Sequence, residues 1–170
     1  LFALAAIAGT SARAVPVKPA DGKFPARSES VPESPANAEF RKGVEAGLQG
    51  KNAIARAHFL AALKQNEKFA PALIGLADLA QKDGDRSQAE KYLKQAESVA
   101  PQAAEVYLGW GRFHLGSGQF TQAEKSFRQA KDLNPKSIAP LLELGDLYLR
   151  DPSRHGDAAQ SFAAAVELAP

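Results

Sequence analysis

From residue 36 onward, apolar and small positions recur at helical spacing, and the same order of positions returns four times. Aligned at Ala55, Ala89, Ala123 and Ala158, the chain matches itself at intervals of 34, 34 and 35 residues. Four residues after each alanine stands Phe59, Leu93, Phe127 or Phe162, and seven after it Ala62, Ala96, Ala130 or Ala165. Upstream, a small residue keeps the same register at Gly43, Ala77, Gly111 and Gly145. A fixed period of this length marks units that cannot bury an apolar face alone and bury it by stacking. Each unit reads as two helices, the second opening after Gly50, Gly84, Gly118 or Gly156. The small positions let paired helices approach, and the larger residue fills the space between layers. Pro101 and Pro135 are expected to stop a second helix and to start the next first helix. Asp85 is expected to cap the helix that carries Tyr92 and Leu93. The one extra residue falls in Asp151-Pro152-Ser153-Arg154-His155, an inter-helix loop where insertions are tolerated.

The pattern resembles the tetratricopeptide repeat family, whose signature is W-x2-L-G-x2-Y, then A-x3-F, then a late proline. The third unit reads Tyr107-x2-Trp110-Gly111-x2-His114, Ala123-x3-Phe127, Pro135. The fourth reads Leu141-x2-Leu144-Gly145-x2-Tyr148, Ala158-x3-Phe162, Pro170, and the second Leu73-x2-Leu76-Ala77-x2-Ala80, Ala89-x3-Leu93, Pro101. The first keeps Gly43, Ala46, Ala55 and Phe59 but has Glu39 and Lys42 at large apolar positions and Glu67 in place of proline. Polar residues there suit an end unit with no neighbour on that side. The resemblance implies an all-α, right-handed α-solenoid of four helix-turn-helix repeats at 36–69, 70–103, 104–137 and 138–170. The array is expected to continue past residue 170, or to self-associate there, because Phe162, Ala165, Val166 and Leu168 would leave an apolar side open.

The front of the chain follows different rules. Leu1–Ala8 is a short apolar run, followed by Ala12-Arg13-Ala14, as in the later part of a secretory signal peptide cleaved before Val15. It is shorter than the roughly 20 apolar residues a spanning helix needs. Residues 15–35 hold Pro16, Pro19, Pro25, Pro32 and Pro35 among small and charged residues, the composition of a disordered linker. These features predict a periplasmic or secreted protein with no membrane span after cleavage. The chain has no cysteine, which leaves no disulfide framework, no thiolate metal site and no lipid-modifiable cysteine after the apolar run. A formal net charge of +2 is too small to argue for a nucleic-acid or acidic-membrane partner.

No catalytic motif emerges. Gly116-Ser117-Gly118 lacks the G-x-S-x-G spacing and the preceding strand of a nucleophile elbow. Gly50-Lys51 is followed by Asn52, and Glu45 stands where a phosphate loop needs its first glycine. His58, His114 and His155 share no helical pairing, so no two could hold a metal on one helix. Asp83-Gly84-Asp85 is a turn with a cap, since Ser87 and Glu90 stand at the wrong spacing for a calcium loop. Trp110 and His114 occupy core positions of their repeat and are expected to pack. No metal, cofactor, catalytic residue or small-molecule substrate is expected.

The family resemblance implies a concave groove lined by the first helix of each repeat, holding a peptide segment or helix of a partner protein. Carried over position by position, it is lined by Phe40, Ile74, Leu108 and Leu142, and one turn on by Val44, Asp78, Arg112 and Asp146. Lys82 and Arg150 stand beside these rows with Gln81, Glu105, Leu115 and Leu149. The competing reading is that the apolar row is packing between repeats and the charged row a solvated surface worth little. Carboxylate-clamp members of the family place asparagine where this chain has Val44 and Asp78, so that subclass is rejected. The resemblance thus implies a non-enzymatic protein-binding scaffold in envelope assembly, such as secretion, pilus or exopolysaccharide machinery. The alternative is the N-terminal recruiting module of a longer exported enzyme.

Overall fold

Each repeated alanine is the point where a second helix lies against the first helix of its own unit. The computed structural model describes residues 33–169. In chain order the elements are α1 (Pro35–Leu48), α2 (Asn52–Gln65), α3 (Ala70–Lys82), α4 (Arg86–Val99), α5 (Ala104–Gly116), α6 (Phe120–Leu133), α7 (Ala139–Tyr148), a short 3-10 turn (Pro152–Arg154) and α8 (His155–Leu168). Helices pair as α1 with α2, α3 with α4, α5 with α6 and α7 with α8, giving the helical-repeat solenoid that the register predicts. The expected leader at 1–14 and the linker as far as residue 32 lie outside the described residues. The last linker positions belong to the fold: Ser34 caps α1 by accepting from the Asn37 N–H at 3.2 Å, and Pro35 is its first residue.

The packing rests on a steric lock between glycine and ring. A Cβ placed on Gly43 would come within 2.5 Å of Phe59, and one on Gly145 within 2.5 Å of Phe162. A Cβ on Gly111 would overlap the Phe127 ring. The same Phe59 ring presses on the next unit, where a Cβ on Gly75 would stand 2.7 Å from it. Ala55, Ala89, Ala123 and Ala158 are buried beneath these contacts, as are Ala62, Ala96, Ala130 and Ala165. Among the described residues no polar or charged side chain is fully buried.

The connections explain how successive pairs are aimed. Gly50, Gly84 and Gly118 take φ of 72°, 82° and 71°, the left-handed region that closes a helix at low cost only for glycine. The following N–H then reaches back to the helix, from Lys51 to the Ala46 carbonyl, Asp85 to Ala80 and Gln119 to His114, each at 2.9 Å. Asp85 caps α4 as expected, accepting from the Gln88 N–H at 3.0 Å. Asp85→Ala should therefore cost about 0.5–2 kcal/mol in a urea melt, with the loss confined to stability.

Two expectations about the connections are corrected. Pro101 and Pro135 follow the second helices but sit in turns, and the next first helices begin at Ala104 and Ala139. The prolines inside a first helical turn are Pro35, Pro71 and Pro140, where the missing N–H has no acceptor to satisfy. In the fourth repeat the second helix starts at His155, so Gly156 lies within its first turn rather than before it.

That fourth connection is held by side chains instead of a glycine turn. Arg154 grips Glu124 of α6 with two nitrogens, at 2.7 and 3.2 Å, and binds Asp157 at 2.9 Å. Its guanidinium lies over the Tyr148 ring, 4.0 Å from the centroid, and the Tyr148 hydroxyl donates to Glu124 at 3.0 Å. Arg128 also reaches Glu124 at 2.7 Å. The bond from Arg154, then that from Tyr148, holds the Glu124 carboxyl at a pKa of about 2 against the opposing effect of burial. A pKa below the unfolded value means stability present above about pH 5 and lost as pH falls toward 2. Thermal melts at pH 7 and pH 3 should show a smaller acid-induced drop in Glu124→Gln than in the parent chain.

Candidate functional site

First helices of neighbouring repeats pack on each other, α1 on α3, α3 on α5 and α5 on α7. Second helices pack within their own unit and on the next first helix, and no comparable packing joins α2 to α4 or α4 to α6. The array therefore curves with α1, α3, α5 and α7 on its inner side, which makes them the walls of a groove.

The two rows carried by those helices behave differently. Of the apolar row, Phe40 is half-buried, its ring centroid 5.6 Å from both Phe59 and Phe69. Ile74 is half-buried against α5, where a Cβ on Gly109 would stand 3.3 Å from it. Leu108 is 7% exposed, in a cluster with Phe127, Leu144 and Tyr148, whereas Leu142 is 42% exposed. The expected exposure of Leu108 is thus corrected, because the fourth repeat covers it. Phe40, Ile74 and Leu108 serve packing between helices, and Leu142 alone of the row stands open.

The second row is accessible throughout. Val44 is exposed, Asp78 half-buried, and Arg112 and Asp146 exposed, with Lys82 and Arg150 exposed one turn further along. Arg112 crosses between helices: its Nε meets Glu143 Oε1 at 2.6 Å and its Nη1 lies 4.0 Å from Asp78 Oδ2. Burial pushes the Asp78 carboxyl above its ordinary pKa, and the attraction of Arg112 and then Lys82 opposes this only in part. Gln81 Nε2 donates to the Arg112 carbonyl at 3.2 Å, its amide occupying the space that Gly116 leaves empty.

Sequence reasoning missed Glu143, the ion-pair partner of Arg112, and Leu48, which is 86% exposed at the end of α1. A signal for Glu143 existed, since it stands in the register of Gly75 and Gly109. Trp110 is half-buried: it stacks on His114 with centroids 5.6 Å apart, meets Phe113 edge-on and donates its Nε1–H to Glu97 at 3.2 Å. His114 is likewise half-buried, its Nδ1 2.8 Å from Gln119 Oε1. Among the described residues no group of His, Asp or Glu is placed to hold a metal, and no helix is long and apolar enough to cross a membrane. The arrangement offers contact surface: exposed leucines beside a cross-linked row of charges.

The tetratricopeptide repeat model matches residues 74–138 and again 108–170, so the chain belongs to the tetratricopeptide repeat family. No curated protein matches it. Among solved structures, the thermophilic TPR protein TTC0263 of Thermus thermophilus is similar at 25% identity and a TM-score of 0.61, over 78% of this chain and 74% of that one. PilF of Pseudomonas aeruginosa is similar at 20% identity and a TM-score of 0.66, over 78% of this chain and 60% of that one. The first TPR of Spaghetti (RPAP3), solved bound to the HSP90 peptide SRMEEVD, is similar at 17% identity and a TM-score of 0.56, over 69% and 94%. Proteins of this family generally mediate protein–protein interactions, and the fold is typically a non-enzymatic scaffold.

Proposed function

We propose that the inner face of α1, α3, α5 and α7 holds a segment of a partner protein, and that the chain is an exported, non-enzymatic scaffold in envelope assembly. The observation that carries the reading is the exposure of Leu142 and Leu149, 42% and 51%, beside Arg112, Glu143 and Asp146 on an inner surface. Apolar side chains left open on a concave face are a usual mark of an interaction site. The peptide bound by RPAP3 supports a short segment as the kind of ligand this fold takes. Val44 and Asp78 argue for a partner other than an acidic C-terminus of that kind, because a carboxylate stands where a clamp offers an amide. Export draws its support from the apolar run Leu1–Ala8 and from Ala12-Arg13-Ala14, with the mature chain starting at Val15. Secretion, pilus and exopolysaccharide machinery are the settings in which such scaffolds serve.

The test uses the full chain with a photo-crosslinking residue at Leu142 or, as a control, at Leu60 on the exposed face of α2, mixed with envelope extract. Adducts are expected from the Leu142 position and not from Leu60. With the captured partner in hand, Leu142→Glu combined with Leu149→Glu should weaken binding at least tenfold (about 1.4 kcal/mol) while the melt stays unchanged. Adducts from the Leu60 position alone would move the site to the outer face, and recovery of the protein only from cytoplasm, with Leu1–Ala14 intact, would overturn the export.

A further inference from the structure

Between successive second helices runs a cleft floored by the first helix of the later repeat, and the chain furnishes these clefts unequally. Tyr92 on α4 stands in the register of Ser126 on α6 and, across the one-residue insertion, of Ser161 on α8. Trp110 on α5 stands in the register of Leu76 on α3 and Leu144 on α7. Tyr92 packs its ring on the cluster of Phe59 and Leu76 at the first cleft, and Trp110 packs on the clusters of Leu93 and Ala96 at the second. The third cleft has Leu144 and Ser161 at these positions, so neither ring is present. A cavity of about 330 Å³ lies there, with Arg128 and Lys131 of α6 on one wall, Ser161 of α8 on the other and Leu141, Leu144 and Tyr148 of α7 beneath.

The charges differ as well. Glu97, in the register of Lys131, accepts the Trp110 Nε1–H at 3.2 Å, so the second cleft satisfies this polar pair from within. Lys131 is half-buried and meets no carboxylate within ion-pair distance among the described residues. The other charged groups at the third cleft are engaged, Arg128 by Glu124 at 2.7 Å and Asp157 by Arg154 at 2.9 Å. One cation above an apolar floor is thus left for an acceptor from outside.

We propose that the cleft between α6 and α8 binds an aromatic ring joined to a carboxylate. The ring lies on Leu141 and Leu144, where the other clefts hold Tyr92 or Trp110, and the carboxylate meets Lys131 Nζ. A cavity of roughly 150 Å³ is enough for a benzene ring, and ligand sites begin at about 300 Å³. An anion beside a half-buried ammonium is screened by less water than one at an open surface, which favours the charged ligand over its neutral analogue. The same chemistry is offered by a free aromatic acid and by the C-terminal phenylalanine of a protein.

Amide NMR titration of the full chain tests this with 3-phenylpropionate, its neutral amide, and a peptide ending in phenylalanine. The acid should saturate with a dissociation constant of about 1 mM or tighter, shifting residues 128–131 and 160–164. Lys131→Gln should weaken the acid at least fivefold and leave the neutral amide unmoved. Ser161→Tyr, which returns to the cleft the ring that Tyr92 supplies elsewhere, should lose both ligands and melt no lower than the parent. Tighter binding of the acid than of the peptide supports a small molecule as the occupant, and the reverse supports a protein's end. No saturable shift in the parent, shifts confined to other helices, or parent-like binding of the acid by Lys131→Gln would overturn the site.

Discussion

Phe127→Ala is expected to cost about 3–5 kcal/mol, a large part of the 5–15 kcal/mol that ordinarily holds a domain together. The ring is fully buried and fills the room that Gly111 leaves by having no side chain. It also belongs to the cluster that joins Leu108 of the third repeat to Leu144 and Tyr148 of the fourth. Truncation therefore opens a cavity shared by two units, and in a solenoid both the unit and its interface lose stability. Urea unfolding followed by circular dichroism should show a lowered midpoint with little change in slope. A loss under about 1 kcal/mol would mean that the neighbouring helices close over the gap.

The second large effect comes from treating two residues of one register differently. Leu108→Glu should destabilise by roughly 3 kcal/mol or more, because a carboxylate at a 7% exposed site must either lose its water or take up a proton. Leu142→Glu, at the equivalent position 34 residues on, should stay within about 0.5 kcal/mol of the parent, since its side chain is already in water. Thermal melts of the two single variants decide the matter. Equal losses would show that Leu142 packs as Leu108 does, and the inner face would lose its apolar anchor.

The repeat lattice was legible because its spacing encodes a close approach that only a small residue permits, glycine against a phenylalanine ring and Ala77 where the partner is Leu93. Gly43 against Phe59 and Gly145 against Phe162 are contacts within one unit, so the register alone specifies them. The Asp85 cap was legible for the same reason, being settled within three residues. Exposure along the groove was not, because it depends on what a neighbouring unit brings. Leu108 and Leu142 are identical in register, yet the fourth repeat covers one of them. Arg112 with Glu143, and Arg154 with Glu124, join residues 31 and 30 apart across helix boundaries, where no local pattern pairs them. The prolines misled because stopping a helix and opening the next are separated here by a short turn. Pro101 does the first, and Ala104 begins the second.

The absence of any fully buried polar or charged side chain among the described residues reaches beyond packing. No charged side chain among the described residues is fully buried, so dissolved salt finds little to screen in the cores of the repeats. Among the charges that salt does reach are those of the inner face, at Asp78, Arg112, Glu143 and Asp146. On the proposed reading, ionic strength should loosen a partner held at the inner face while leaving most of the scaffold standing. A captured partner should be releasable by salt from a protein that stays folded and ready to be loaded again.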